Sequence, residues 1–215
     1  KGVEARLKTE VERALVAKGY RDITVVMDGQ TAILGGAAGS DAARAEARAA
    51  ALTAAGPGAI AAAVEAQALA RAQARLAAVQ ALYQMDLAAT DLNEVLHEFR
   101  TLRFGAGAEH RTVADADPDL FAEIVRGVVA RQRDIDPPLD QQLAAGWRLQ
   151  RIDSIVRAIL RSATFELMGR PGAPARSIIS EYVDVAKAFF EGDEPKVVNA
   201  VLDKLARKIR PAEFA

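Results

Sequence analysis

The sequence predicts a mainly α-helical protein, in which an all-helical bundle follows a small α+β unit. Two observations predict this class. Apolar residues beyond position 59 recur at helical spacing of three and four residues, whereas the first 58 residues mix a helical pattern with two short alternating runs. Alternation of apolar and polar residues is typical of strands. The change of period near residue 60 therefore predicts two domains, residues 1–66 and 67–215.

The first domain is predicted to contain a helix, a hairpin and a second helix. Apolar residues at helical spacing cover residues 2–16, and residues 23–27 alternate as a strand does. Asp28-Gly29 separates this strand from the run at residues 31–34, and such a dipeptide between two β-type runs strongly indicates a hairpin. A helix is then expected from Ser40 to Gly56. This order resembles the BON domain, a module of envelope proteins that contacts lipid or partners, and the resemblance implies a third strand near Gly58.

The second domain is predicted to hold six or seven helices joined by short loops. An alanine-rich helix comes first, and an acidic residue precedes each of several later helices, where it can cap the free backbone amides. These starts are Asp91 with Glu94, Asp117-Pro118 and Asp136-Pro137, the last expected to begin a short helix ending near Gly146. The remaining helices are expected at residues 152–168, 178–190 and 195–209.

Composition and motifs exclude several classes of function. The 28 Lys and Arg residues against 29 Asp and Glu residues give a net charge of −1, so any contact with nucleic acid must use a local patch. The absence of cysteine excludes disulfides, thiolate catalysis and cysteine-bound metals. His97 and His110 lack metal-ligand spacing, and no nucleophile or phosphate-loop motif occurs. We expect a protein without enzymatic activity, cofactor, metal or membrane span, located in the cytoplasm.

Four segments of the second domain carry a family resemblance. They are residues 74–84 (ARLAAVQALYQ), 153–161 with 165–167 (DSIVRAILR and FEL), 179–187 (ISEYVDVAK) and 196–204 (KVVNAVLDK). In this order and spacing they are similar to the NusB family of bacterial transcription antitermination factors, across residues 70–211. The resemblance implies an all-helical fold that binds boxA RNA of ribosomal RNA leader transcripts together with NusE, on RNA polymerase. The resemblance does not decide whether the protein forms a homodimer.

The resemblance also implies which residues form the site. Tyr83 is expected at the surface that binds the protein partner. The residues expected to bind RNA are Arg71, Arg75, Gln80, Arg161, Asp193 and Lys196. Two departures from the family predict weaker RNA binding: the leading arginine cluster is reduced to Arg71 and Arg75, and Val197 stands where an aromatic residue is frequent. Basic groups bind phosphates and aromatic rings stack on bases.

Alternative interpretations stay open at this point. Arg75 and Arg161 are also compatible with solvated helix arginines, and Tyr83 with a core residue. As a whole, the chain is alternatively an envelope-associated binding protein led by its BON-like domain, which requires an export signal upstream of Lys1. A third alternative is the RNA-delivery domain of a ribosomal RNA cytosine methyltransferase. That enzyme needs a methyltransferase domain and a catalytic cysteine, which this sequence lacks.

Overall fold

The computed structural model describes residues 2–17, 23–28, 31–36, 49, 57–105, 113–144 and 146–214. The chain divides into two compact units, Lys1–Ala68 and Leu69–Ala215. A single helix, Pro57–Ala88, runs through the boundary that the sequence predicts between residues 66 and 67. That boundary stays a prediction.

The first unit contains helix α1 (Gly2–Ala17) and an antiparallel hairpin of strands β1 (Ile23–Asp28) and β2 (Thr31–Gly36). In the hairpin Asp28 pairs with Thr31, as the Asp28-Gly29 signal predicts. The predicted helix from Ser40 to Gly56 lies outside the described residues, apart from the helical Ala49. The likeness to a BON domain therefore stays a prediction.

The third strand expected near Gly58 is wrong, because this segment begins helix α2 (Pro57–Ala88). Pro57 suits the first position of a helix, where no backbone N–H is needed. The alanines that follow have the highest helix propensity of all residues. Local propensity therefore favours a helix over a strand here.

The second unit is all-helical in its described residues, and the mainly α fold class is confirmed. After α2 the chain forms α3 (Leu92–Glu98), a π-helical turn (Phe99–Arg103), α4 (Pro118–Ala130), α5 (Gln132–Asp140), α6 (Ser154–Gly169), α7 (Ala175–Phe189) and α8 (Glu194–Ile209). Short 3₁₀ turns occupy Leu149–Arg151 and Pro211–Glu213.

Aspartate caps fix three helix starts, of which the sequence predicts those at Asp91 and Asp117. Asp117 accepts hydrogen bonds from the amides of Asp119 and Leu120, both at 3.0 Å. Asp153 caps α6 and Asp91 caps α3 in the same way. Each carboxylate satisfies amides that have no partner within the helix, which contributes about 0.5–2 kcal/mol per cap.

Helix α5 departs from the sequence prediction at both ends. It begins at Gln132 and ends at Asp140, so Asp136-Pro137 lies inside the helix instead of starting it. Ile135 and Leu139 are one turn apart and fully buried. Their burial stabilises a helix that includes the residues before Pro137, and this packing overrides the local proline signal.

The core of the second unit combines small residues on α2 with large residues elsewhere. Ala74, Ala77, Ala78 and Ala81 form a fully buried stripe along α2, and such small side chains let neighbouring helices approach closely. Large aliphatic and aromatic side chains of α4, α6, α7 and α8 supply the volume. Phe99 stacks on Phe121 with ring centroids 5.1 Å apart. The core therefore consists of large side chains that pack against a face of small residues on α2.

Gly127→Ala tests this close packing. A Cβ atom at Gly127 of α4 would lie 2.2 Å from the ring of Phe165 on α6. We expect a loss of about 1–3 kcal/mol in the free energy of unfolding, because the helices must separate to admit the methyl group. Gly169→Ala is the matched control, since a Cβ there meets nothing within 4 Å. Urea denaturation of both variants checks this, and equal stabilities would contradict it.

Candidate functional site

Arg75 lies in a buried ion-pair network that joins α2 to α6 and α7. Its side chain donates from Nε and Nη2 to both carboxylate oxygens of Glu166, at 2.8 and 3.0 Å, and from Nη1 to Glu181 at 2.9 Å. Glu166 is fully buried, and Arg75 is 6% exposed. All three guanidinium nitrogens are therefore occupied by carboxylates.

Tyr182 completes this network from α7. Its hydroxyl donates to Oε1 of Glu166 at 2.9 Å, and its ring lies 6.0 Å from the Arg75 guanidinium carbon. Burial first, and then the negative charge of Glu166, raises the pKa of Tyr182 well above its ordinary value. The phenol therefore stays protonated and continues to donate. The network pairs every charge that it buries, as a stable interior requires.

Arg161 occupies a second structural network. It forms a two-pronged pair with Asp136 of α5, at 2.8 and 2.7 Å, and is 9% exposed. Arg157, one turn earlier on α6, binds Asp86 of α2 at 3.0 Å and backbone carbonyls before α6. These contacts fix α6 against α2 and α5.

The burial of Arg75 and Arg161 corrects one alternative that the sequence leaves open. Neither residue is a solvated helix arginine, because both are buried against carboxylates. Contact of Arg75 with an RNA phosphate would require it to leave a charge-assisted pair and would leave the buried Glu166 carboxylate without that partner, whereas Asp136, the partner of Arg161, is partly exposed. These contacts support a role for both residues in stabilising the fold, and RNA binding by either one stays a prediction.

Lys196 and Asp193 lie together at the start of α8. The Lys196 ammonium is 2.7 Å from Oδ1 of Asp193, and both side chains are 82% exposed. Arg71 on α2 is half-buried and has no ion-pair partner among the described residues. None of these three side chains is buried in the core, and RNA binding by them stays a prediction.

Gln80 and Tyr83 share one cleft, although the sequence assigns them to different ligands. Both are half-buried and line a cavity of about 460 Å³ together with apolar side chains from three other segments. These are Phe99, Ile155 and Phe189. The cleft offers an apolar floor with polar groups at Gln80 and Tyr83.

A second cleft contains residues that sequence reasoning missed. Its volume is about 520 Å³, and Trp147, Arg148 and Arg151 line it together with Asp193 and Val197. Trp147 is the single tryptophan of the chain and is 54% exposed. An aromatic residue next to basic residues in the stretch 147–151 is the signal that could have identified this site.

No metal or membrane site emerges from the described parts of the chain. They contain no group of three or more His, Asp or Glu side chains that could hold a metal ion. His97 is exposed on α3, and His110 lies outside the described residues. None of the helices described is both long and apolar enough to cross a bilayer.

Comparisons of the sequence and of the structure with known proteins both find NusB proteins. The NusB family model matches residues 72–207. The transcription antitermination protein NusB of Maricaulis maris is 53% identical over 139 residues, which cover 65% of this chain and 87% of that protein. The corresponding protein of Bartonella tribocorum is 54% identical over 135 residues, or 63% of this chain and 86% of that protein.

Two solved structures share the fold of the second unit. NusB of T. maritima superimposes with a TM-score of 0.56 at 26% identity, over 67% of this chain and 96% of that one. A chain in the crystal structure of a plectonemic RNA supercoil gives a TM-score of 0.51 at 22% identity, over 64% of this chain and 94% of that one. With well over half of its residues matched by the family model, the chain belongs to the NusB family.

Proposed function

We propose that this protein is a transcription antitermination factor whose helical unit binds single-stranded boxA RNA of ribosomal leader transcripts together with NusE, in a complex on RNA polymerase. The names of its relatives support the antitermination role, and as a NusB family member it is not an enzyme. The same names favour this function over an envelope-associated binding protein or a methyltransferase domain. The proposed role places the protein in the cytoplasm, where bacterial transcripts are made.

The exposed Lys196–Asp193 pair is the observation that carries the RNA part of this proposal. A surface ion pair is worth only about 0–1 kcal/mol, so an RNA phosphate can replace the Asp193 carboxylate at little cost. Phosphate contacts of this kind position single-stranded RNA on a protein. Arg71, which has no ion-pair partner among the described residues, is a second cation available for the backbone.

Lys196→Ala and Asp193→Asn are expected to change RNA affinity in opposite directions. Loss of the Lys196 ammonium removes a phosphate contact, so binding weakens and the slope of log K against log salt decreases by about 0.7. Loss of the Asp193 carboxylate frees the ammonium and removes a charge that repels phosphates. We expect that variant to bind roughly two- to fivefold more tightly. Titration of boxA RNA at several salt concentrations measures both effects.

Lys187 and Asp184 supply the matched control. They form an exposed pair at the same three-residue spacing on α7, at 2.8 Å. Lys187→Ala and Asp184→Asn change net charge as the test variants do but alter a different surface. Equal effects from the two pairs would show that only overall charge matters, and would contradict a site at the start of α8.

The cleft of Gln80 and Tyr83 is our proposed docking surface for NusE. Its apolar floor and half-buried tyrosine are typical of protein interfaces, in which aromatic residues are enriched. The structure brings Gln80 to the same cleft, so we reassign it from the RNA to the partner.

A further inference from the structure

Trp147 is held in a defined position while its indole stays half exposed. The backbone N–H of Trp147 donates to the carbonyl of Ala144 at 2.9 Å, and the next anchor is Leu149, a fully buried residue. The Leu149 amide also donates to Asp140 Oδ1 at 2.9 Å. Contacts before and after Trp147 therefore fix the backbone that carries the ring. A large apolar side chain held at the surface in this way is preorganised for a ligand.

The walls of the cleft around Trp147 are partly apolar and carry available cations. Ile152, Val156 and Val197 line it. Arg151 is exposed and has no ion-pair partner among the residues described, and Arg148 makes one exposed pair with Asp140 at 3.1 Å. An apolar surface beside guanidinium groups matches a nucleotide, which has an apolar base face and an anionic phosphate.

The carboxylates that line the cleft leave it able to bind an anionic nucleotide. Asp153 is occupied by the first amides of α6, and Asp193 by Lys196. Glu194 has no ion-pair partner in the described structure, and its Oε2 is buried and accepts no hydrogen bond. Asp153 and Asp193 are thus offset locally, and the unpaired oxygen of Glu194 is shielded from a ligand in the cleft.

We propose that Trp147 is a stacking platform for a base of the single-stranded RNA, with Arg148 and Arg151 contacting the flanking phosphates. This inference rests on the proposed function and extends its site. The same cleft includes Asp193, which forms the exposed ion pair with Lys196. Val197 lines the cleft as well.

The fluorescence of the protein reports directly on this contact, because Trp147 is its only tryptophan. The full chain is titrated with boxA RNA while its intrinsic emission is recorded, and the anisotropy of end-labelled RNA is measured separately. Stacking is expected to quench the emission with the same midpoint as the anisotropy change. Trp147→Leu should weaken binding by about fivefold or more, since stacking contributes about 1–3 kcal/mol per base. Trp147→Phe should retain most of the affinity.

Leu102→Ala is the control, because Leu102 is an apolar residue of similar exposure, 51%, on the π-helical turn. It should leave affinity unchanged, and circular dichroism verifies the fold of each variant. RNA binding without quenching, with Trp147→Leu at full affinity, would overturn this inference and leave the proposed function intact. No anisotropy change with any RNA would overturn both. Emission that changes on dilution without RNA would show that the indole faces a second copy of the chain, and would also overturn it.

Discussion

Glu166→Ala is expected to remove about 3–5 kcal/mol of folding free energy, a large share of the stability of a typical domain. The substitution leaves the Arg75 guanidinium buried without its two-pronged partner, and the Tyr182 hydroxyl loses its acceptor. An uncompensated buried charge is far more costly than the loss of a surface pair. Urea denaturation followed by circular dichroism measures the change.

Glu181→Ala is the control for this experiment, because Glu181 pairs with the same arginine from a partly exposed position. We expect its loss to cost about 1 kcal/mol or less. If Glu166→Ala does not fold, Glu166→Gln keeps the shape and some hydrogen bonds and should show an intermediate loss. A Glu166→Ala variant as stable as Glu181→Ala would contradict a structural role for the network.

Arg161→Ala is expected to lower stability by about 2–3 kcal/mol while leaving the RNA affinity of the folded protein unchanged. The stability loss follows from the two charge-assisted hydrogen bonds to Asp136, which are largely shielded from water. The unchanged affinity follows from the low exposure of Arg161, 9%, and from the use of its Nε and Nη2 by Asp136.

Lys196→Ala should show the converse pattern of intact stability and weaker RNA binding. Measuring both properties at a temperature where each variant is fully folded separates the two residues. If Arg161→Ala weakened RNA binding as much as Lys196→Ala under those conditions, the sequence-based assignment of Arg161 to RNA would be restored.

Local signals account for what could be predicted from the sequence. The starts at Asp91 and Asp117 depend on a carboxylate and the amides two or three residues later, so the sequence contains the whole interaction. The hairpin at Asp28-Gly29 is equally local. The helical period after residue 59 predicted the all-α unit because each helix needs one apolar face toward a common core.

Long-range pairing accounts for what could not be predicted. Arg75 and Glu166 are separated by 91 residues, and Arg161 and Asp136 by 25. No spacing rule connects such partners, so two buried arginines had the same sequence signature as RNA-binding ones. Trp147 presents the reverse case, because a lone tryptophan is ordinarily buried in the core and this one is exposed. Its exposure depends on anchors at Ala144 and Leu149 that only the folded loop provides.

Binding of boxA RNA in the presence and absence of NusE tests the central claim most directly. The full chain is titrated with boxA RNA, and with a scrambled RNA of equal length and composition, at fixed salt. We predict a preference for boxA and a higher affinity when NusE is bound, and linkage requires RNA to raise the affinity for NusE by the same factor. Equal affinity for the two RNAs, unchanged by NusE, would contradict the account.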